Sequence, residues 1–92
     1  MFNTVDTSAL EILHEMLTEA NIPHDFHDWF GGKRLAYPSA DKWEISCVQF
    51  FGSHGVEGGY IEALGLSCDT EPYSFQELFK KIEKNFLKTL DK

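Results

Sequence analysis

Ninety-two residues with a formal charge of −7, 42% hydrophobic and 14% aromatic, suffice for one core and leave no room for a second. That apolar content excludes a disordered chain, and no apolar run nears the about 20 residues that span a bilayer. The acidic balance argues against direct nucleic-acid binding, because phosphate contacts need a basic face.

The opening MFNTVDTSALE has neither a basic n-region nor a long apolar core. It therefore does not read as a signal peptide, and the expected compartment is the cytoplasm. Ser8 to Glu11 reads as a capping box, with Ser8 at the N-cap and Glu11 reaching back to its amide. Leu10, Leu13, Met16, Leu17 and Ala20 then recur at helical spacing. Asn21 suits the position just past the helix, and Pro23 prevents continuation. The first helix is expected over 9–20. Its outer face stacks Glu11, Glu15 and Glu19 at i, i+4 and i+8, a slightly unfavourable like-charge ridge.

The stretch HDFHDWFGGKRLAYP reads as a hairpin. His24 to Phe30 is the outgoing strand, Gly31-Gly32 the two-residue turn, and Lys33 to Tyr37 the return. Pro38 ends the pairing. Alternation places His24, Phe26 and Asp28 on one side and Asp25, His27 and Trp29 on the other. Two further apolar runs, Trp43 to Phe51 and Tyr60 to Leu66, flank a loop containing Gly52, Gly55, Gly58 and Gly59, which gives a second hairpin. The first of these runs does not alternate cleanly, so either both faces are partly covered or a bulge shifts its register. Ser67 to Tyr73 reads as a polar connection, with Pro72 in it.

Ser74 to Glu77 forms a second capping box. Phe75, Leu78, Phe79, Ile82, Phe86 and Leu90 follow at helical spacing, and Phe75, Phe79, Ile82 and Phe86 are the expected docking residues. Lysines fill the opposite face. Residues 1–74 carry twelve acids and three bases, and residues 75–92 three acids and five bases. The expected fold is a single α+β domain, α-β-β-β-β-α, with a mainly antiparallel sheet and both helices on one face.

Four pieces, IPHDFHDWFGGKRLAYPS, Cys47-Val48, GSHGVEGGYIEALGL and SFQELFKKIEKNF, together resemble a pattern of small phage and prophage proteins of Gram-positive bacteria. That pattern has an aromatic-Gly-Gly turn, a Tyr-Pro pair, and a Gly-Ser-aromatic-Gly loop leading into an acidic strand that ends in Gly-Leu. His54 stands here at the loop's aromatic position. The resemblance implies a mobile-element origin and this fold. It implies no activity, cofactor or catalytic residue.

Three chemistries can be weighed on the residues themselves. His24, His27, Cys47, His54 and Cys68 are the conceivable metal ligands, but residues three apart on a strand face opposite ways, and no CxxC or HExxH spacing exists. A Cys–His pair would need His54 against Cys47 or Cys68. The expectation is instead one buried and one partly exposed structural thiol, no metal and no cofactor. GSHGVEGG offers backbone amides for an anion nest but is not a Walker loop.

Two functions remain. The first is a non-enzymatic inhibitor or interaction module acting on a host protein, for instance a defence protein, that has a basic surface. It would bind through Glu11, Glu15, Glu19, Asp25 and Asp28. The second is an oligomeric module that sequesters a small nucleotide signal. It would use Trp29, Lys33, Arg34, Tyr37, Ser53, His54, Gly55 and Tyr60. An enzyme with a nonstandard site is the third reading. None of the three involves direct nucleic-acid or membrane binding.

Overall fold

The computed structural model describes residues 5–91; the first four residues of the N-terminal segment read above, and Lys92, lie outside it. The order is α1 (Ser8–Glu19), β1 (Asp25–Trp29), β2 (Gly32–Tyr37), β3 (Ile45–Gln49), a single 3₁₀ turn (Val56–Gly58), β4 (Ile61–Gly65), β5 (Cys68–Tyr73) and α2 (Phe75–Leu90). The fold is α+β, as the hydrophobic periods imply. The five strands form one antiparallel meander in sequence order.

The fifth strand corrects the reading of 67–73 as a connection. Cys68 pairs with Gly65 and Tyr73 with Ile61. Pro72 is tolerated because β5 is an edge strand, where a missing N–H breaks no further ladder. The irregular register lies between Glu62 and Leu64 of β4, while β3 alternates regularly between buried and half-buried positions.

Register and alternation sort the side chains onto two faces. Leu35, Tyr37, Ile45, Cys47, Gln49, Ile61, Ala63 and Cys68 lie on the helix side and are buried. Leu10, Leu13 and Leu17 of α1 and Leu78 and Ile82 of α2 complete the core. Phe75, Phe79 and Phe86 are only partly buried against it, so Leu78 and Ile82, rather than the phenylalanines, anchor α2.

The helix ends explain themselves locally. At the start of α2 the Ser74 hydroxyl accepts from the Glu77 amide (3.2 Å) and Glu77 Oε1 accepts from the Ser74 amide (2.9 Å), as the capping box requires. The corresponding box at Ser8 does not form. Thr7 is the N-cap, its hydroxyl donates to Glu11 Oε2 (2.6 Å), and the Ser8 amide donates to Asp6 Oδ1 (2.9 Å). The orphan amide of Leu10 is instead satisfied from across the core, by Gln49 Oε1 at 3.1 Å. At the other end of α1, Asn21 takes φ 59°, its amide donates to Thr18 O, and the Ile22 amide donates to Leu17 O. This is a Schellman closure, with buried Ile22 next to Leu17.

The β1–β2 turn is shifted by one residue from the expected Gly-Gly. Phe30 (φ 45°) and Gly31 (φ 79°) are its central pair, and Gly32 already pairs with Trp29. Positive φ at both positions suits the tight hairpin turn. Gly32 is required for another reason: a Cβ there would stand 1.9 Å from the Gln49 carbonyl oxygen.

Candidate functional site

With both helices on one face, no helix or second sheet among the described residues lies over the other face of the sheet. Its residues are His27 and Trp29 from β1, Arg34 and Ala36 from β2, Ser46 and Val48 from β3, Glu62 and Leu64 from β4, and Asp69 from β5. The segment after β2 folds over one end of this face. The Ala40 amide donates to Asp25 Oδ2 (2.6 Å), and the Glu44 amide donates to Tyr37 O (2.6 Å). Trp43 is thereby carried over Arg34.

Arg34 is the centre of the face. Its guanidinium carbon lies 5.1 Å from the Trp29 ring centroid and 5.8 Å from that of Trp43, a cation held between two electron-rich faces. Nε donates to Ser46 Oγ at 2.9 Å, and Nη1 lies 3.5 Å from His27 Nε2. Only 8% of Arg34 is exposed. The aromatic series continues outward, with Trp29 edge-to-face with Phe30 (5.1 Å) and Phe30 tilted against Phe50 (6.2 Å). Phe30 is 78% exposed, Leu64 48% and Trp43 40%.

The five acids expected to bind a partner do not share a surface. Glu11, Glu15 and Glu19 are exposed on α1, on the helix side of the sheet, and Glu11 accepts from Thr7. Asp28 lies on the same side and is paired with Lys33, whose hydrogen bond and charge hold its carboxyl below the usual carboxylate range. Asp25 belongs to the open face and is tied to Ala40.

The eight residues expected to bind a ligand are likewise divided. Trp29 and Arg34 meet on the open face, but Lys33 and Tyr37 point to the helix side. Tyr37 is buried and its hydroxyl donates to Asn85 Oδ1 (2.9 Å), so it cannot stack on a base. Ser53 is buried too, and its hydroxyl bonds back to the Phe50 backbone.

The glycine loop does not present an anion nest. The amides of Ser53, Val56, Gly58, Gly59 and Tyr60 all donate to carbonyls within the loop, those of Gly58 and Tyr60 to Gly55 O. The His54 amide donates to Glu62 Oε1 at 2.8 Å, so the chain's own carboxylate fills the place of an anion. A cavity of ≈ 670 Å³ beside the loop is lined by Phe51, His54 and two acids, Asp6 and Glu57, which disfavour a phosphate. Tyr60, at the end of the loop, is 48% exposed.

Both thiols are buried on the helix side, Cys68 as well as Cys47, which corrects the expectation of one partly exposed thiol. Cys68 faces inward because β5 is a strand in register with β4. Burial pushes both thiols above their ordinary range, the opposite of what activates a nucleophile. His24 turns to the helix side and meets His14 (2.8 Å), whereas His27 sits against Arg34. Among the described residues, no group of three or more His, Cys, Asp or Glu side chains converges to hold a metal, and no helix is long and apolar enough to cross a membrane.

Two features of this arrangement escaped sequence reasoning. Gln49 reads as an ordinary polar position in an apolar run, and its role depends on α1 arriving above it. Trp43 reads as the first residue of a strand, yet it precedes β3 and serves as a lid on Arg34. Comparison of the chain with protein-family models, curated proteins and solved structures gives no match.

Proposed function

We propose that this chain is a non-enzymatic interaction module of the phage or prophage accessory kind. It works in the cytoplasm of a host cell by binding a host protein. The observation that carries this reading is the helix-free sheet face with its line of rings, Trp43, Trp29, Phe30 and Phe50, around a guanidinium that is already stacked. A surface of this composition resembles the aromatic centre of a protein interface. The carboxylates of Asp25, Glu62 and Asp69 lie on the same face, so the partner that complements it presents an apolar patch edged with lysine or arginine. The expected basic partner is thus retained, and the contact moves from the α1 ridge to the sheet.

The test compares tagged wild type with Phe30→Ser and with the pair Glu15→Gln, Glu19→Gln in capture from a Gram-positive lysate, with the captured protein identified by mass. Phe30→Ser should lose at least 10-fold in capture of that protein, while the α1 variant should retain it. Loss in the α1 variant alone would return the site to the acidic ridge. Equal capture by all three would place the contact on neither surface, and capture of no host protein by wild type would remove the interaction reading. Sedimentation of the free proteins distinguishes self-association, in which wild type would be a dimer and Phe30→Ser a monomer.

A further inference from the structure

His14 and His24 lie on the opposite side of the sheet from the interaction face, and no step of the proposed function uses them. His14 projects from the middle of α1, and His24 stands in the connection just before β1. His14 Nδ1 and His24 Nε2 are 2.8 Å apart, and His24 Nδ1 is 2.8 Å from Ile22 O. The His14 ring also stacks on Phe26, at 4.4 Å and 12°. The pair therefore spans α1, the segment that closes it and the first strand.

The protons on this pair can be counted. A carbonyl only accepts, so His24 Nδ1 carries a proton and donates it to Ile22 O. In neutral His24, Nε2 is then a lone pair, and His14 Nδ1–H donates to it. One added proton is accommodated, because a single hydrogen still lies between the two facing nitrogens whichever ring bears the charge. A second added proton is not. Both facing nitrogens would then carry hydrogens, with no acceptor between them and two like charges in contact.

We propose that the His14–His24 pair is a one-proton latch, which holds the C-terminal half of α1 to the start of β1 and opens when both imidazoles become charged. Burial holds His14 below its ordinary value, the neighbouring His24 adds to that depression, and Glu15 opposes it. His24 and Glu15 are the charged or titratable groups that act on the His14 ring. Beyond Phe26 stands the Lys33–Asp28 pair, with Lys33 Nζ 5.7 Å from the Phe26 ring centre. The sign follows. A histidine whose folded value lies below its unfolded one binds fewer protons when folded. Its contribution to stability is complete above about pH 6.5 and is lost as pH falls from there through the folded value.

The decisive experiment follows the ring nitrogens of full-length wild type by NMR from pH 8 to 4.5, with amide exchange measured on residues 14–26 at each step. The pair should take up protons in two separate steps, the second below about 6.5. As pH falls from about 6.5 to that second step, opening of 20–26 should rise by up to about tenfold per pH unit and then level off, while the β3–β4 amides stay protected. In His14→Gln, which removes one of the two facing imidazoles, the extra opening should vanish. Independent titration of both wild-type rings near about 6.5, or protection of 20–26 that does not change with pH, overturns the latch. The wild-type titration decides this even if His14→Gln fails to fold.

Discussion

The residue on which most of the local structure depends is Gln49. It is fully buried, accepts from the Leu10 amide through Oε1 (3.1 Å) and donates to Tyr60 O through Nε2 (3.0 Å). One side chain thus caps α1 from the sheet and fixes the end of the glycine loop. Removing it strands the buried Leu10 amide and takes a partner from the part-buried Tyr60 carbonyl, at about 1–3 kcal/mol each. Gln49→Leu, which keeps roughly the same volume but removes both the donor and the acceptor, should therefore lose roughly 2–5 kcal/mol in urea unfolding. A loss below about 1 kcal/mol would mean that water reaches the Leu10 amide. This residue also marks where sequence reasoning stops. Ser74 and Asn21 were legible because their partners lie within five residues. Gln49, Trp43 and Arg34 were not, because their partners lie across the fold.

Among the elements, the two helices and the first four strands were legible from apolar runs together with their turn and capping residues, to within about two residues. β5 was not, since an edge strand with one side to solvent has little apolar signal and tolerates Pro72. The stripe on α2 was legible as a stripe, but not which of its rows reaches deepest. Phenylalanine suggests the centre by size, whereas the helix presents Leu78 and Ile82 to the sheet and leaves Phe79 half-buried. That ranking can be measured. Leu78→Ala should cost about 2–5 kcal/mol, because its fully buried side chain leaves a cavity. Leu87→Ala, at a position 54% exposed, should change stability by no more than about 0.5 kcal/mol. Comparable losses at both would mean that α2 is rotated about its axis, with Leu87 and Leu90 against the sheet.

The described residues form two layers around one core, with no helix over the second face of the sheet, and this asymmetry decides how the molecule should come apart. Cys47 on the central strand and Cys68 on the edge strand both face that single core. The cluster that covers Cys47 also covers Cys68, and its members come from both helices and four strands. A thiol reagent attacks the thiolate, which burial suppresses at both sites, so labelling has to wait for the core to open. If the core is one cooperative unit, both thiols are released by the same event. Native protein mixed with excess reagent should then label in a single phase with an amplitude of two thiols. Low urea should accelerate that phase with the dependence seen in equilibrium unfolding. The alternative is concrete, because edge strands belong to the least stable part of many sheets. A separate, faster phase of one thiol that is insensitive to urea, mapped to Cys68 by digestion, would show β5 peeling from β4 on its own. In that case Cys68→Ser should abolish the fast phase and leave the slow one unchanged, and the cooperative unit would end at β4.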